Sequence, residues 1–217
     1  MPPTISVAPL WLAATNCYLV SSEPGGPAVI IDAPPEAPAI ADMVRHSGVT
    51  PRALLLTHAH LDHIGGAGGV TEEWGIDACL HPDDGWMAGD LPSQVRMLMG
   101  FDDPGDFAGA SRYEPLEDGE LLYLAGLRFR VLHTPGHSPG HCCFWLEDDG
   151  ILFSGDHLFA GSIGRTDLPG GDYETLLRSM AEKVVALPPE TYVLPGHGPA
   201  TTLARELASN PFLQAFH

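Results

Sequence analysis

A chain of 217 residues, 44% hydrophobic and 18% charged, is long enough for a substantial core and has the composition of an ordered globular protein. Ten Lys and Arg against 28 Asp and Glu leave a formal net charge of -18, which argues against nucleic acid and anionic membranes as partners, since both need a basic footprint. No apolar run approaches membrane-spanning length, no Lys or Arg precedes Arg45 and Pro9 breaks the N-terminal apolar stretch, so neither a transmembrane helix nor a secretory signal is expected.

In chain order, strand-length runs at 17–20 and 28–31 flank a turn centred on Pro24, Gly25 and Gly26. Ala37, Ile40, Ala41 and Val44 recur at helical spacing between Glu36 and His46, and Gly48 suits the stop. Asp32 reads as a helix N-cap sooner than as a support for a neighbouring site. A strand at 52–56 runs into Thr57-His58-Ala59-His60-Leu61-Asp62-His63, and a glycine-rich segment then opens a helix to Trp74. After a short strand at 77–81, residues 82–112 are rich in Gly, Pro, Asp and Met; they read as a surface excursion sooner than as a flap over a site, with one helix over 92–99 and the Met97–Met99 region serving packing sooner than a substrate lid. Strands are expected at 120–124 and 127–133, a hairpin at 141–146 and 150–154, a helix at 173–187, a strand at 191–194 and a last helix at 201–207, stopped by Asn210-Pro211. With two groups of strands, no internal repeat and no linker composition, the residues alone suggest a single two-layer α/β domain over 1–217. Cys17, Cys79, Cys142 and Cys143 show no CxxC spacing and two are adjacent, which fits a reduced, cytoplasmic setting.

The His cluster carries the chemistry. In extended chain, positions i and i+2 share a side, so His58, His60 and Asp62 can converge. Imidazoles crowded with a carboxylate are costly to desolvate unless a metal takes their lone pairs. Three later strands also end in a Gly or Pro turn bearing a metal-capable residue: His137 in Thr134–Gly140, Asp156 after Gly155, and His197 in Pro195–Pro199. Since a zinc with an open position takes three protein ligands, this set fits two metals. His58, His60 and His137 would hold the first, Asp62, His63 and His197 the second, and Asp156 would bridge them.

The run from Thr57 to His63, with His137, Asp156 and His197 downstream, resembles the metallo-β-lactamase superfamily over nearly the whole chain. The resemblance implies a four-layered αβ/βα sandwich with the metal site at one edge between two sheets, and it supports the same ligand division. Class B β-lactamases generally lack the bridging Asp. The stretch Ala160–Asp172 and the tail His197–Thr202 are more similar to short bacterial glyoxalase II-like (hydroxyacylglutathione hydrolase-like) enzymes. What this implies is hydrolysis of a small-molecule thioester such as S-lactoyl-glutathione, or another thiol-carrier ester, by a hydroxide shared between two Zn2+ ions per chain. Asp62 would orient that hydroxide and take its proton. The helical glutathione-binding domain of full-length glyoxalase II is not expected here; only Arg205 is basic in the final stretch, so a glutathione carboxylate would find few partners.

Alternatives stay open. Gly164-Arg165-Thr166-Asp167 is also similar to persulfide dioxygenases, which would use one Fe2+ on His58, His137 and Asp156; mixed metals, a lactonase and a non-catalytic metal-binding protein are further readings. Arg165 either meets an anionic substrate or pairs with Asp167. His157 reads either as a packed, hydrogen-bonded histidine or as a partner to a ligand or to substrate, and His81, His133 and His141 as structural or surface residues.

Overall fold

The computed structural model describes residues 2–100 and 107–214. Its first half builds one six-stranded sheet in chain order: β1 (Thr4–Leu10), β2 (Thr15–Ser21), β3 (Pro27–Ile31), β4 (Thr50–Leu55), β5 (Ala78–Leu80) and β6 (Tyr113–Pro115). β1 to β3 pair antiparallel, and β3 to β6 run parallel. Parallel neighbours need crossovers. Between these strands lie helices α1 (Ala37–Ser47), α2 (Leu61–Ile64), α3 (Ala67–Trp74), α4 (Gly85–Ala88) and α5 (Leu91–Met99).

The second half supplies β7 (Leu121–Leu124), β8 (Leu127–His133), β9 (Cys142–Leu146), β10 (Ile151–Gly155), the small hairpin β11 (Leu158–Phe159) and β12 (Ser162–Ile163), α6 (Tyr173–Ser179), β13 (Tyr192–Pro195), β14 (Thr201–Thr202) and α7 (Leu203–Ser209). Its sheet has the order β14-β13-β10-β9-β8-β7.

Side-chain alternation explains the stacking. Leu54 and Leu56 pack under α1 and α3 with Ile40, Val44 and Val70, whereas Leu55 points the other way, into a layer shared with Val29, Ile31, Phe129, Val131, Phe144 and Phe153. On the far face of the second sheet, Leu132, Cys143, Leu152 and Val193 meet Leu176, Met180, Val184 and Leu203. Both sheets therefore bury both faces, giving helix, sheet, sheet, helix in section. This is the four-layered αβ/βα sandwich that the family resemblance implies, and it corrects only the two-layer reading of the residues alone: two strand groups with apolar residues on both faces stack on each other and still need helices outside. The adjacent Cys142 and Cys143 fall on opposite faces, and all four thiols are free.

Other expectations shift locally. The helix starting at Tyr173 changes to π-helical turns over Met180–Val184, and the last helix starts at Leu203 because Thr201 and Thr202 pair with β13. The edge strand β1, half exposed and carrying Pro9, had no clear pattern in the sequence. The expected excursion over 82–112 is not one as far as Gly100, for Met87, Leu91 and Val95 are buried against the first sheet's helices; 101–106 lie outside the described residues. Among the described residues, no helix is long and apolar enough to cross a membrane.

The two sheets are tied at one edge. Asn16 donates from its backbone N to Gly196 O at 2.7 Å and from Nδ2 to Pro195 O at 2.9 Å, and Tyr18 Oη donates to the same Pro195 O at 2.7 Å. β4, β8, β10 and β13 all deliver their chain ends to this edge.

Candidate metal centre

Two groups of donor atoms converge there. His58, His60 and His137 form one; Asp62, His63 and His197 form the other; His58, His63 and Asp156 are also mutually close. Within the first group, His137 Nε2 stands 2.9 Å from His60 Nδ1 and 3.2 Å from His58 Nε2. Within the second, His197 Nε2 is 3.2 Å from Asp62 Oδ2 and 3.3 Å from His63 Nε2. Asp156 lies between them, with Oδ1 at 3.4 Å from His63 Nε2 and Oδ2 at 3.5 Å from His137 Nε2 and 3.4 Å from His197 Nε2.

The convergence is built locally in two ways. His58 and His60 lie in extended chain after β4 and share a side as alternation predicts, but His60 is the N-cap of α2. Asp62 therefore sits on a helical turn with His63 and aims at the second group, which corrects the expectation that His58, His60 and Asp62 share one side of a strand. The later residues are positioned by tight turns. Gly136, at φ +136°, lies against the Leu176 backbone, so only glycine fits before His137. Gly196 packs against Asp156 Oδ1 and, at 2.8 Å from where a Cβ would sit, His63 Cε1.

The outer ring nitrogens fix the tautomers. His58 Nδ1 is 3.0 Å from Thr57 Oγ1, whose own proton goes to Asp32; His63 Nδ1 donates to Asp32 Oδ2 at 2.8 Å, His137 Nδ1 to the Arg165 carbonyl at 2.7 Å, and His197 Nδ1 to the Ala13 carbonyl at 3.2 Å. In its neutral form each of these rings thus turns an Nε2 lone pair inward. Such Nε2 lone pairs, 3.2 Å apart for His58 and His137 and 3.3 Å apart for His63 and His197, repel unless a cation lies among them. The buried Asp156 Oδ1 has no hydrogen-bond donor. Inward lone pairs and an orphaned carboxylate oxygen form a donor set that fits divalent metal ions, with nitrogen and oxygen ligands of the kind zinc and iron accept.

The electrostatics divide the two groups. Burial, with repulsion from His63, His60 and His137, pushes His58 well below the ordinary imidazole range, and burial with His137 takes His60 down to about 3. Burial acts the same way on His197, but Asp156 and Asp62 outweigh it and raise the ring to about 9. Burial would raise Asp62 and Asp156, yet His63 and His197 hold both carboxyls well below their usual range. His58 and His60 are therefore neutral, whereas the other group is rich in carboxylate charge.

Around the donors sit residues that the sequence reading ranked low or missed. Asp32 is no helix cap: Glu36 takes that place, because Ala33–Pro35 carry the chain past two prolines before α1 starts. Asp32 instead holds His63 and accepts from Thr57 N at 2.8 Å, in a left-handed conformation (φ 59°). Asp84 was not singled out, yet its buried carboxylate accepts from Ala59 N at 2.9 Å, Ser138 Oγ at 2.8 Å and Gly140 N at 2.6 Å, tying the His58–His60 segment to the His137 turn. Gln94 accepts from Leu61 N and donates to the Ala59 carbonyl. Thr15 Oγ1 donates to Asp62 Oδ2 at 2.8 Å. Nothing local in the sequence marks these; they lie 25 to 56 positions from the groups they hold.

His141 is buried and accepts from Asp156 N through Nε2 at 3.1 Å. His157 is fully buried, but neither ring nitrogen has a hydrogen-bond partner among the described residues, which corrects the hydrogen-bonded expectation. His81 and His133 stack at 3.9 Å, away from the centre. Arg165 grips Asp167 with two bonds of 2.7 Å.

A cavity of about 630 Å3 opens over the donors, walled by Trp11, Leu12, Met97, Leu98, Met99, Phe159, Ile163, Arg165 and Leu168. Met97–Met99 thus line the site in addition to packing.

The metallo-beta-lactamase superfamily model matches residues 10–197. The chain belongs to the metallo-β-lactamase superfamily. Relatives in this superfamily include a probable metallo-hydrolase, YqgX, of Bacillus subtilis, 40% identical over 93% of each chain. Hydroxyacylglutathione hydrolase GloC of Haemophilus influenzae is 36% identical over 97% of this chain and 98% of its own. Among solved structures, the BLEG-1 B3 metallo-β-lactamase superposes with a TM-score of 0.88 at 38% identity, covering 97% of this chain and 99% of its own. TTHA1623 in a di-iron-bound form gives 0.84 at 40%, covering 96% and 100%. The superfamily is one of metal-dependent hydrolases, and the His/Asp cluster of this chain is of the metal-binding type typical of the fold.

Proposed function

We propose that the chain is a dinuclear metallo-thioesterase of the glyoxalase II-like branch, with His58, His60 and His137 holding one ion, Asp62, His63 and His197 the other, and Asp156 shared. The observation that carries this reading is the pair of complete donor triads with Asp156 between them. The similarity to GloC over nearly both full lengths supports the thioester branch. Two zinc ions are the expected occupants; the di-iron form of TTHA1623 makes iron a reasonable second choice.

When bound, the metal pair supplies Lewis acidity to a carbonyl oxygen and lowers the pKa of water toward about 7. The chain does the rest. Asp62, ionised and fixed through Oδ2 by Thr15, orients a water and receives its proton on Oδ1, the oxygen Thr15 does not engage. Asp32, through His63 and Thr57, keeps the imidazoles in the tautomers that face the ions. The C–O bond forms first, with the carbonyl pair moving to its oxygen, and the C–S bond breaks as that pair returns. The departing thiolate, with a pKa near about 8.5, needs no dedicated acid. A cytoplasmic location accords with the free thiols.

The test pairs two assays with metal analysis. Thiol release from thioesters, S-lactoyl-glutathione among them, and two metal ions per chain are expected. One iron per chain with oxygen consumption on glutathione persulfide, and no thiol release, would replace this reading with the dioxygenase one. Asp156→Ala should remove metal and activity together; near wild-type turnover in that variant would refute the shared-ligand scheme.

A further inference from the structure

Beside His60 the large cavity continues into a smaller pocket of about 100 Å3, lined by Trp86, Met87, Met97 and Pro169 and sharing His60, Gln94 and Met97 with the main space. Its walls are apolar except at Asp90, Ser93, Gln94 and His60. The main cavity is walled by apolar side chains too, and Leu12 and Leu98 stay exposed at 80% and 46% at its rim. Exposed large apolar groups gathered at one mouth mark a binding surface.

Charge points the same way. Among the described residues, Arg165 is the one Lys or Arg side chain lining either space, and its Nε and Nη2 already pair with Asp167. The chain as a whole carries a formal -18. Away from the metal groups, a substrate arm bearing carboxylates would find along these walls no Lys or Arg other than Arg165, on a chain of net negative charge.

From these observations we infer that the substrate is an uncharged thioester with a short apolar acyl group. The acyl group occupies the pocket beside His60, and the thiol arm lies along Trp11, Leu12 and Phe159 in the larger space. The division follows size: a pocket of about 100 Å3 takes a few carbons, whereas the open cavity of about 630 Å3 takes the bulkier arm. This inference rests on the thioesterase reading and narrows its substrate class away from glutathione esters.

Metal-loaded protein should be assayed on acetyl, butyryl and decanoyl thioesters of N-acetylcysteamine, beside S-lactoyl-glutathione. Added methylenes that enter an apolar pocket raise kcat/KM on the order of tenfold or more. The expected order is butyryl at least tenfold above acetyl, decanoyl with no further gain, and S-lactoyl-glutathione lowest. Trp86→Ala and Met97→Ser should each shrink the butyryl-to-acetyl ratio severalfold. A binding measurement avoids the chemistry: S-butyl-N-acetylcysteamine, a thioether, should perturb tryptophan fluorescence at least tenfold lower concentration than S-butyl-glutathione. That gap should narrow as salt screens the field. A flat acyl series, or preference for the glutathione compounds in either measurement, overturns the inference while the thioesterase reading stands. No thiol release from any thioester overturns that reading and the inference with it.

Discussion

His157 shows how a single side chain can tax the molecule. Its ring is fully buried with both nitrogens unpartnered, and burial first, then His137, lowers its pKa to about 3. Below pH about 6.5 the unfolded chain takes up a proton that the folded chain refuses, so stability falls with pH from there down to about 3, by about 1.4 kcal/mol per unit at the full slope. His157→Phe keeps the ring that packs beside His141 and removes this linkage. Denaturant midpoints at pH 5 and pH 7 should lie closer together in the variant than in the wild type, in metal-loaded and chelator-treated protein alike; an unchanged gap would place the acid sensitivity elsewhere. Asp84 works in the opposite sense, as one carboxylate serving three donors on two separate loops. Asp84→Asn must turn an amide NH2 toward one of those donors. Metal affinity, read by competition with a chromogenic chelator, should drop about 10–100-fold with the far-UV spectrum unchanged. The site candidates were legible as residues because His and Asp crowd after strands and beside Gly and Pro turns. Asp32, Asp84 and Thr15 were not, because a lone acid or hydroxyl at a strand end reads the same whether it caps a helix or steadies a distant imidazole.

At the scale of elements, the donors depend on turns more than on the strands before them. Gly196 touches Asp156 Oδ1 and His63 at once. On the proposed two-ion scheme, a methyl at that position displaces the Asp156 carboxylate, so Gly196→Ala should lose metal from the Asp62, His63 and His197 group first, leaving close to one ion per chain by elemental analysis. Full occupancy would show that the turn yields. The continuous apolar run Ala53–Leu56 stands out in the sequence because both of its faces are buried, and Leu127–His133 stands out because apolar residues alternate with Arg128 and Arg130. β1 and β6 do not, being edge strands whose partly exposed faces tolerate polar residues. The 82–100 stretch misleads for another reason: its Gly, Pro and Asp content resembles a loop, yet α4 and α5 use those residues as caps and starts while Met87, Leu91 and Val95 carry the packing.

For the whole molecule, the layering was open to a wrong count, since strand patterns give the faces of each sheet but not which face meets which. The order of the two sheets also decides where the donors come from. Each triad draws two side chains from the first sheet's edge and one from the second, with His60 and His137 separated by 77 positions and His63 and His197 by 134. An ion in either triad is thus a cross-link between the halves of a chain whose cysteines are all free. A link closing a loop of roughly a hundred residues removes about 4–5 kcal/mol of unfolded-chain entropy by the polymer estimate. Stripping metal with a chelator should lower Tm by several degrees and zinc should restore it; a Tm indifferent to metal would mean that hydrogen bonds such as those of Asn16 and Tyr18 to Pro195 hold the seam alone. The two halves of the molecule are, on this account, laced together by coordination bonds, a fastening that a competing ligand can undo and a metal supply can remake.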